Sequence, residues 1–167
     1  LDVADYYFET GKYPYALKWY KKVDENSMPY PERDRFNFNN GYALYASKRP
    51  QEAESYLNKV TTSQKYGSQA KYYLGYIAYE QDDYNSASAR FDQIQDPELL
   101  DEKLTYYQAD LNFKLGKFEE AIALAKKQLP KSNRQEVSEL NKIIGESYFN
   151  LEQYAEAVPY LEEYKGK

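Results

Sequence analysis

The one nucleophile-like pattern in the chain is Ser68-Gln69-Ala70-Lys71. In some acyl-transferring enzymes, a lysine at this spacing accepts the serine proton. The companion motifs of those enzymes are missing, and a serine near a helix start ordinarily caps the helix. The sequence has no Cys and no His, which excludes thiolate nucleophiles, histidine bases and zinc sites built from these residues. A glycine-rich phosphate loop is also missing. We therefore expect no enzymatic activity, no metal and no cofactor.

Tyrosine is the residue type that stands out, with 21 Tyr against 7 Phe and a single Trp. A phenol ring offers a large rigid contact area with a polar tip, which is typical of protein-binding surfaces. The hydrophobic fraction of 42% is enough for a core, while the net charge of −5 argues against a nucleic-acid partner. No run approaches the roughly 20 apolar residues of a membrane span. The composition therefore favours a folded chain that binds protein.

An internal repeat organises the sequence. Five segments align on one alanine, at intervals of 37, 34, 34 and 36 residues. Twelve residues before each alanine lies a second small residue, which we call the anchor. The alanines are Ala16, Ala53, Ala87, Ala121 and Ala157, and the anchors are Ala4, Gly41, Gly75, Ala109 and Gly145. Apolar residues at helical spacing surround both positions, which predicts two helices of about 12 to 15 residues in each repeat.

The anchors predict where the two helices of a repeat approach each other most closely. Glycine inside a helix costs about 1 kcal/mol relative to alanine, so three glycine anchors need an offsetting gain. Close packing against the second helix supplies that gain. Gly11, Gly116 and the pair Asp82-Asp83 are expected in the turns between paired helices, and Pro14 and Pro50 in the first turn of second helices.

Other local signals predict the remaining helix ends. Asp96-Pro97-Glu98 has the pattern of an N-cap followed by proline and an acidic first turn, and Ser132 with Gln135 fits a capping box. The segment Met28-Pro29-Tyr30-Pro31 is expected to be the longest connection between repeats. Pro159 falls inside the last helix and is expected to kink it slightly.

This pattern resembles the tetratricopeptide repeat family. The third repeat carries it best, with Leu74-Gly75, Tyr84, Ala87 and Phe91, whereas the fourth departs from it at Ala125, where the family prefers an aromatic residue. The resemblance implies an all-α fold, an α-solenoid of about five antiparallel helix pairs stacked in a right-handed superhelix. Residues 1–167 would form a single array whose repeats span approximately 1–28, 31–62, 64–96, 97–130 and 133–167.

By the same resemblance, the first helix of each repeat lines a concave groove. The groove residues lie three positions before the anchor, one position after it and four positions after it, and these positions share one helix face. We expect a peptide-binding groove formed by Phe38, Tyr42, Tyr45, Tyr72, Tyr76, Tyr79, Tyr106, Asp110, Phe113, Glu146 and Phe149. The alternative for the columns at −3 and +4 is that these aromatic residues pack against neighbouring helices.

The groove composition predicts the type of ligand. Some members of the family clamp a terminal carboxylate with Lys and Asn, but here only Lys142 fits that set, and Asp5, Asp110 and Glu146 would repel the anion. A ligand with apolar or aromatic side chains and some positive charge suits the groove better. The predicted function is a protein- or peptide-binding scaffold.

The alternative hypothesis for the function is a structural spacer of a larger multidomain protein, or a module of that protein that self-associates through the uncapped ends of the array. The sequence begins at Leu1 rather than Met and ends at Tyr164-Lys165-Gly166-Lys167 without a polar capping helix. We therefore expect the array to be part of a longer chain or to be covered by a partner. Compartment stays open between extracytoplasmic bacterial and cytoplasmic, although the composition resembles extracytoplasmic bacterial members of the family.

Overall fold

The structure is a computed structural model that describes residues 1–95, 97, 100 and 103–165. These residues contain ten α-helices and no β-strand. No helix among them is both long and apolar enough to cross a bilayer. The helices are α1 (Asp2–Glu9), α2 (Tyr13–Tyr20), α3 (Tyr30–Ala46), α4 (Pro50–Leu57), α5 (Gly67–Glu80), α6 (Tyr84–Asp92), α7 (Leu104–Lys114), α8 (Phe118–Gln128), α9 (Arg134–Asn150) and α10 (Tyr154–Lys165).

Each predicted repeat contains two helices, as expected, but several of the helices are shorter or longer than the expected 12 to 15 residues. The helices α2 and α4 have only 8 residues each, and α3 and α9 have 17 each. Short 3₁₀ turns at Asn58–Val60 and Leu129–Lys131 follow α4 and α8 directly. The final turns of these second helices thus tighten to 3₁₀ geometry, which periodicity alone does not distinguish from a continuing α-helix.

The chain divides into two compact units, the first formed by residues 1–77 with 93–95. In this unit α1 packs on α2, α2 on α3, and α3 on α4. One core cluster joins α1 and α2 to the start of α3 through Ala4, Ala16, Tyr20, Met28 and Phe36. A second core cluster centres on α3, α4 and α5.

The second unit comprises residues 78–92 and 96–167. Here α7 packs on both α6 and α8, and α9 packs on both α8 and α10. Its core contains the small residues Ala109, Ala121 and Ala125 together with Leu140 and Ile144, all of them almost fully buried. The first and second helices of repeats four and five therefore share one apolar core.

The anchor position is a site of close helix approach, as the sequence predicts. A Cβ atom on Gly41 would lie 2.8 Å from Cγ of Leu57 and 3.3 Å from the backbone nitrogen of Leu57. A Cβ atom on Gly145 would lie 2.7 Å from Cγ of Leu161. Because both Cγ distances are shorter than those that real Cβ atoms make, a side chain at either anchor would force its leucine to shift. In the fourth repeat the anchor is Ala109, and the residue at the leucine position is the small Ala125, also fully buried.

The turn between paired helices has the same geometry in all five repeats. Seven residues after each anchor the backbone adopts a left-handed conformation, with φ of 62° at Lys48. The Lys48 N–H donates to the Tyr45 carbonyl (3.0 Å), and the next N–H, of Arg49, donates to Leu44 (2.9 Å). This pair of bonds is the Schellman motif that ends a helix. The equivalent residues are Gly11, Asp82, Gly116 and Glu152.

The other predicted helix ends are partly confirmed. Pro14 and Pro50 lie in the first turns of α2 and α4. The capping box of α9 is correct in kind but wrong by one residue, because Asn133 and Glu136, rather than Ser132 and Gln135, exchange the two hydrogen bonds. Asparagine caps a helix at least as well as serine.

Three further expectations concern connections and proline. Tyr30 and Pro31 already belong to α3, so the predicted connection is shorter, and a 3₁₀ turn at Glu25–Ser27 precedes it. The helix α10 continues through Pro159 to Lys165. The predicted N-cap Asp96 and first-turn Glu98 lie outside the described residues.

The left-handed turns predict a stabilising substitution. A non-glycine residue in this conformation costs about 1 to 2 kcal/mol, and glycine removes that cost but loses more entropy on folding. We expect Lys48→Gly to raise the free energy of unfolding by about 1 kcal/mol, measured by urea denaturation. The matched control is Gly116→Ala at the equivalent turn, which should lower it. A Lys48→Gly protein less stable than wild type would contradict this account of the turn.

Candidate aromatic binding surface

A continuous cluster of aromatic rings covers one side of the first unit. Its hub is Tyr42, whose ring centroid lies 5.7 Å from Phe8, 5.5 Å from Tyr13 and 5.1 Å from Tyr73. From Tyr73 the cluster extends through Tyr45 (5.3 Å) and from there to Tyr76 (6.1 Å). We call Phe8, Tyr13, Tyr42, Tyr45, Tyr73 and Tyr76 the tyrosine surface. These rings are all half-buried, so each one packs on the core and still presents an edge to solvent.

The phenols of the tyrosine surface influence one another. Burial raises the pKa of the Tyr13 phenol, and the neighbouring Tyr42 phenol raises it further. Burial raises the pKa of the Tyr73 phenol well above its ordinary value, and the neighbouring phenols of Tyr42, Tyr72 and Tyr45 raise it further. The protonated, neutral form is therefore strongly favoured, and the surface is uncharged over the physiological range.

The predicted groove residues of this unit fall into two groups. Phe38 and Tyr72 are buried, at 7% and 8% exposure. Phe38 stacks on Tyr66 with ring centroids 5.0 Å apart. These two side chains are thus mainly packing residues, as the alternative interpretation of the −3 column held. Tyr42, Tyr45 and Tyr76 are half-buried and belong to the tyrosine surface.

In the second unit the predicted residues form a smaller, polar cluster. The Tyr79 hydroxyl donates to the Asp110 carboxylate, and the Lys114 ammonium lies 2.9 Å from the same carboxylate. The Lys114 ammonium also lies over the rings of Tyr79 and Tyr84, at 5.2 and 5.0 Å. Burial raises the pKa of Tyr79, and the hydrogen bond to Asp110 raises it further. The negative charge of Asp110 is therefore compensated by the ammonium of Lys114.

The remaining predicted residues of this unit lie on two first helices, α7 and α9. Tyr106 on α7 is half-buried and lies 5.8 Å from Tyr107. Phe113, also on α7, makes an edge contact with Phe118 at 5.9 Å. On α9, Glu146 is half-buried and Phe149 is 56% exposed. Phe149 contacts only the ring of Tyr154, on α10, among the ring contacts of the described residues.

The acid at the opposite end of the predicted groove is also engaged internally. Asp5 accepts a hydrogen bond from the Tyr20 hydroxyl at 2.7 Å and from the Asn39 amide at 3.4 Å, and it lies 3.1 Å from Nε of Arg35. Asp5 and Asp110 therefore hold neighbouring repeats together. They do not supply the free negative charge that the sequence suggested for a cationic ligand.

Sequence reasoning missed three members of the aromatic clusters. Tyr73 and Tyr107 lie two residues before their anchors, a column that was not assigned to the groove, and Tyr13 begins a second helix. The Tyr73 ring contacts four predicted residues, which are Phe38, Tyr42, Tyr45 and Tyr72. The signal present in the sequence was a tyrosine two positions before the anchor in both the third and the fourth repeat.

The Ser68-to-Lys71 fragment lies in the first turns of α5. The Lys71 ammonium donates to the Gln93 carbonyl at 3.4 Å. Within the described part of the chain, no group of three acidic, His or Cys residues is arranged to hold a metal ion.

The repeat geometry agrees with family comparisons. A tetratricopeptide repeat model matches residues 1–68, 38–97 and 72–136, and a second tetratricopeptide repeat model matches 143–165. The chain belongs to the tetratricopeptide repeat family. No curated protein matches its sequence significantly. Membership supports a protein-interaction scaffold, a role typically carried out without catalysis.

Solved structures share the fold at low sequence identity. A structure of MamA AMB-1 is 17% identical, with a TM-score of 0.81 over 99% of this chain and 87% of that chain. A second, described as MamA protein, is 20% identical with a TM-score of 0.73, covering 98% and 86%. A structure described as a Podosopora anserina putative kinesin light chain with nearly identical TPR-like repeats is 16% identical in sequence. Its TM-score is 0.64, over 99% of this chain and 91% of that chain. These likenesses confirm the all-helical repeat fold.

The buried phenols predict a loss of stability in alkali. The pKa values of Tyr20, Tyr73 and Tyr79 are all raised, in each case mainly by burial. An unfolded tyrosine ionises near pH 10, so above that pH the unfolded chain releases protons that the native state keeps. The free energy of unfolding should therefore fall as pH rises from about 10 to about 12.

Urea denaturation at about pH 8, 10 and 11 measures this slope. Tyr73→Phe removes one ionisable phenol and should make the decline shallower than in wild type. A free energy of unfolding that does not change between these pH values would contradict the burial of the phenols.

Proposed function

We propose that the chain is a peptide-binding scaffold and that the tyrosine surface of the first unit is its binding site. The observation that carries the proposal is the set of half-buried phenol rings on α3 and α5, held in place by packing beneath them. Such rings are pre-ordered, so a ligand pays little side-chain entropy when it binds them. Aromatic residues of this kind are enriched among binding hot spots.

The chemistry of the surface favours a ligand with apolar or aromatic side chains. Neighbouring rings meet mostly edge to face, for example Tyr42 with Tyr73 at 73° and Tyr45 with Tyr76 at 77°. In an edge-to-face pair, part of each ring stays uncovered by its neighbour. An aromatic or apolar side chain of the ligand can contact these uncovered parts. Because Asp5 is paired with Arg35, positive charge on the ligand is a weaker requirement than the sequence suggested.

Tyr76 is the residue that best separates binding from packing. Tyr42 contacts five aromatic rings and packs on the core, so its truncation should damage the fold as well as the surface. Tyr76 is half-buried and meets the Tyr45 ring edge to face. The matched packing control is Phe36, an aromatic residue of the same unit at 4% exposure.

The test uses a peptide selected on the wild-type chain from a random phage-displayed library. Tyr76→Ala should weaken binding of that peptide about thirtyfold or more, since truncating a central hot-spot residue costs at least about 2 kcal/mol. Its melting temperature should stay close to that of wild type, whereas Phe36→Ala should lose several kcal/mol of stability, about 3 to 5 for a buried phenylalanine. Calorimetry and thermal denaturation give the two quantities.

Two outcomes would contradict the proposal. If Tyr76→Ala unfolds the chain as severely as Phe36→Ala, the ring is a core residue. If the selected peptide binds Tyr76→Ala with unchanged affinity while the fold is intact, the ligand does not use the tyrosine surface. Light scattering over a dilution series tests the spacer and self-association alternative in the same samples.

A further inference from the structure

A second surface, separate from the tyrosine surface, carries positive charge on α2 and on the residues directly before and after it. Residues 10–23 contain four lysines and no Asp or Glu, a segment charge of +4. Because the whole chain carries −5, the remaining residues sum to −9. An asymmetry of this size in an acidic protein indicates an anionic partner for the basic segment. The lysines are Lys12, Lys18, Lys21 and Lys22.

Helical spacing places aromatic and basic side chains on one face. In α2, Tyr15, Lys18 and Trp19 follow the spacing i, i+3 and i+4, and all three are exposed. Lys22 is exposed in the turn that follows α2, and its ammonium lies over the Trp19 ring. The opposite face of α2 is occupied by Ala16, Leu17 and Tyr20, which are buried in the core. The exposed face is therefore fixed in orientation by the packing behind it.

Exposed apolar groups of α1 extend this face. Tyr7 bridges Tyr6 and Tyr15, with ring centroids 5.7 and 5.5 Å apart. Tyr6 and Tyr15 are 60% and 59% exposed, and Val3 is 46% exposed. We call Val3, Tyr6, Tyr15, Trp19 and the four lysines the basic aromatic face. The acids Asp2 and Glu9 are exposed on α1 and Asp24 is exposed directly after the basic segment, but no acid lies on α2.

The four lysines are not neutralised by the protein. Within the described residues none of the four ammonium groups forms a salt bridge. Only that of Lys22 makes a cation–π contact, 4.4 Å from the centroid of the Trp19 ring. Their charges are therefore available to an external anion.

We propose that the basic aromatic face binds the surface of an anionic lipid bilayer. Tryptophan and tyrosine are the side chains enriched at the bilayer interface, where the ring enters the headgroup region and the polar tip stays hydrated. Lysines beside them are attracted by the negative potential of anionic lipids. Protein interfaces instead favour arginine and are depleted in lysine, and all four cations here are lysine. The binding is peripheral and leaves the tyrosine surface free for a peptide.

Trp19 reports directly on this binding because it is the single tryptophan of the chain. Addition of phosphatidylcholine vesicles that contain phosphatidylserine should shift its emission to the blue and bring the protein into the vesicle pellet. Pure phosphatidylcholine vesicles should produce a much smaller change. High salt should reverse the binding, since exposed charges are screened over about 3 Å at 1 M ionic strength.

Substitutions identify the face. Lys18→Gln and Lys22→Gln should each lower the partition coefficient about fivefold, as expected for one lysine near an anionic surface. The matched control is Lys127→Gln with Lys131→Gln, two exposed lysines of the second unit, which should leave it unchanged. Sedimentation supplies the partition coefficient, so a direct effect of Lys22 on Trp19 emission does not affect the comparison.

Several results would overturn the proposal. These are the absence of sedimentation with anionic vesicles, equal losses in the control variant, and a larger emission shift with polyglutamate or a single-stranded oligonucleotide than with vesicles. A Trp19 shift that depends on protein concentration without lipid would assign the face to a second copy of the chain instead.

Discussion

The distance between the two helices of a repeat is the constraint on which the other features depend. At Gly41 and Gly145 the second helix comes so close that a single methyl group would overlap the side chain of Leu57 or Leu161. This approach fixes the rotation of the first helix, because any turn about its axis would move the glycine out of the contact. The residues one and four positions after the anchor are then held at about 100° and about 40° around the helix axis from that contact. Tyr42 and Tyr45 owe their orientation to this geometry.

The constraint is satisfied by pairs of residues rather than by glycine alone. Gly41 with Leu57 and Gly145 with Leu161 combine no side chain with a large one, whereas Ala109 and Ala125 are two small residues in the same core. Ala125 looked like a defect in the fourth repeat when it was compared with the family pattern. In the structure it is fully buried, in the same core as Ala109.

Sequence reasoning succeeded where one local rule decides the outcome. The 34-residue period, the anchors and the first-turn prolines each follow from helix geometry and were predicted. Turns were predicted at Gly11, Gly116 and Asp82-Asp83, but those at Lys48 and Glu152 were missed because lysine and glutamate carry no turn signal. At the candidate site, burial of Phe38 and the partners of Asp5 depend on distant residues such as Tyr66 and Arg35, which no spacing reveals.

A double-mutant cycle at Gly41 and Leu57 tests the central claim most directly, with free energies of unfolding measured by urea denaturation. Gly41→Ala alone should destabilise the chain by about 1 to 3 kcal/mol, because the new Cβ overpacks against Leu57. After Leu57→Ala, the same substitution should be neutral or stabilise by up to about 1 kcal/mol, since alanine favours the helix and the pair matches that of the fourth repeat. An equal effect of Gly41→Ala in both backgrounds would contradict the close approach of the two helices.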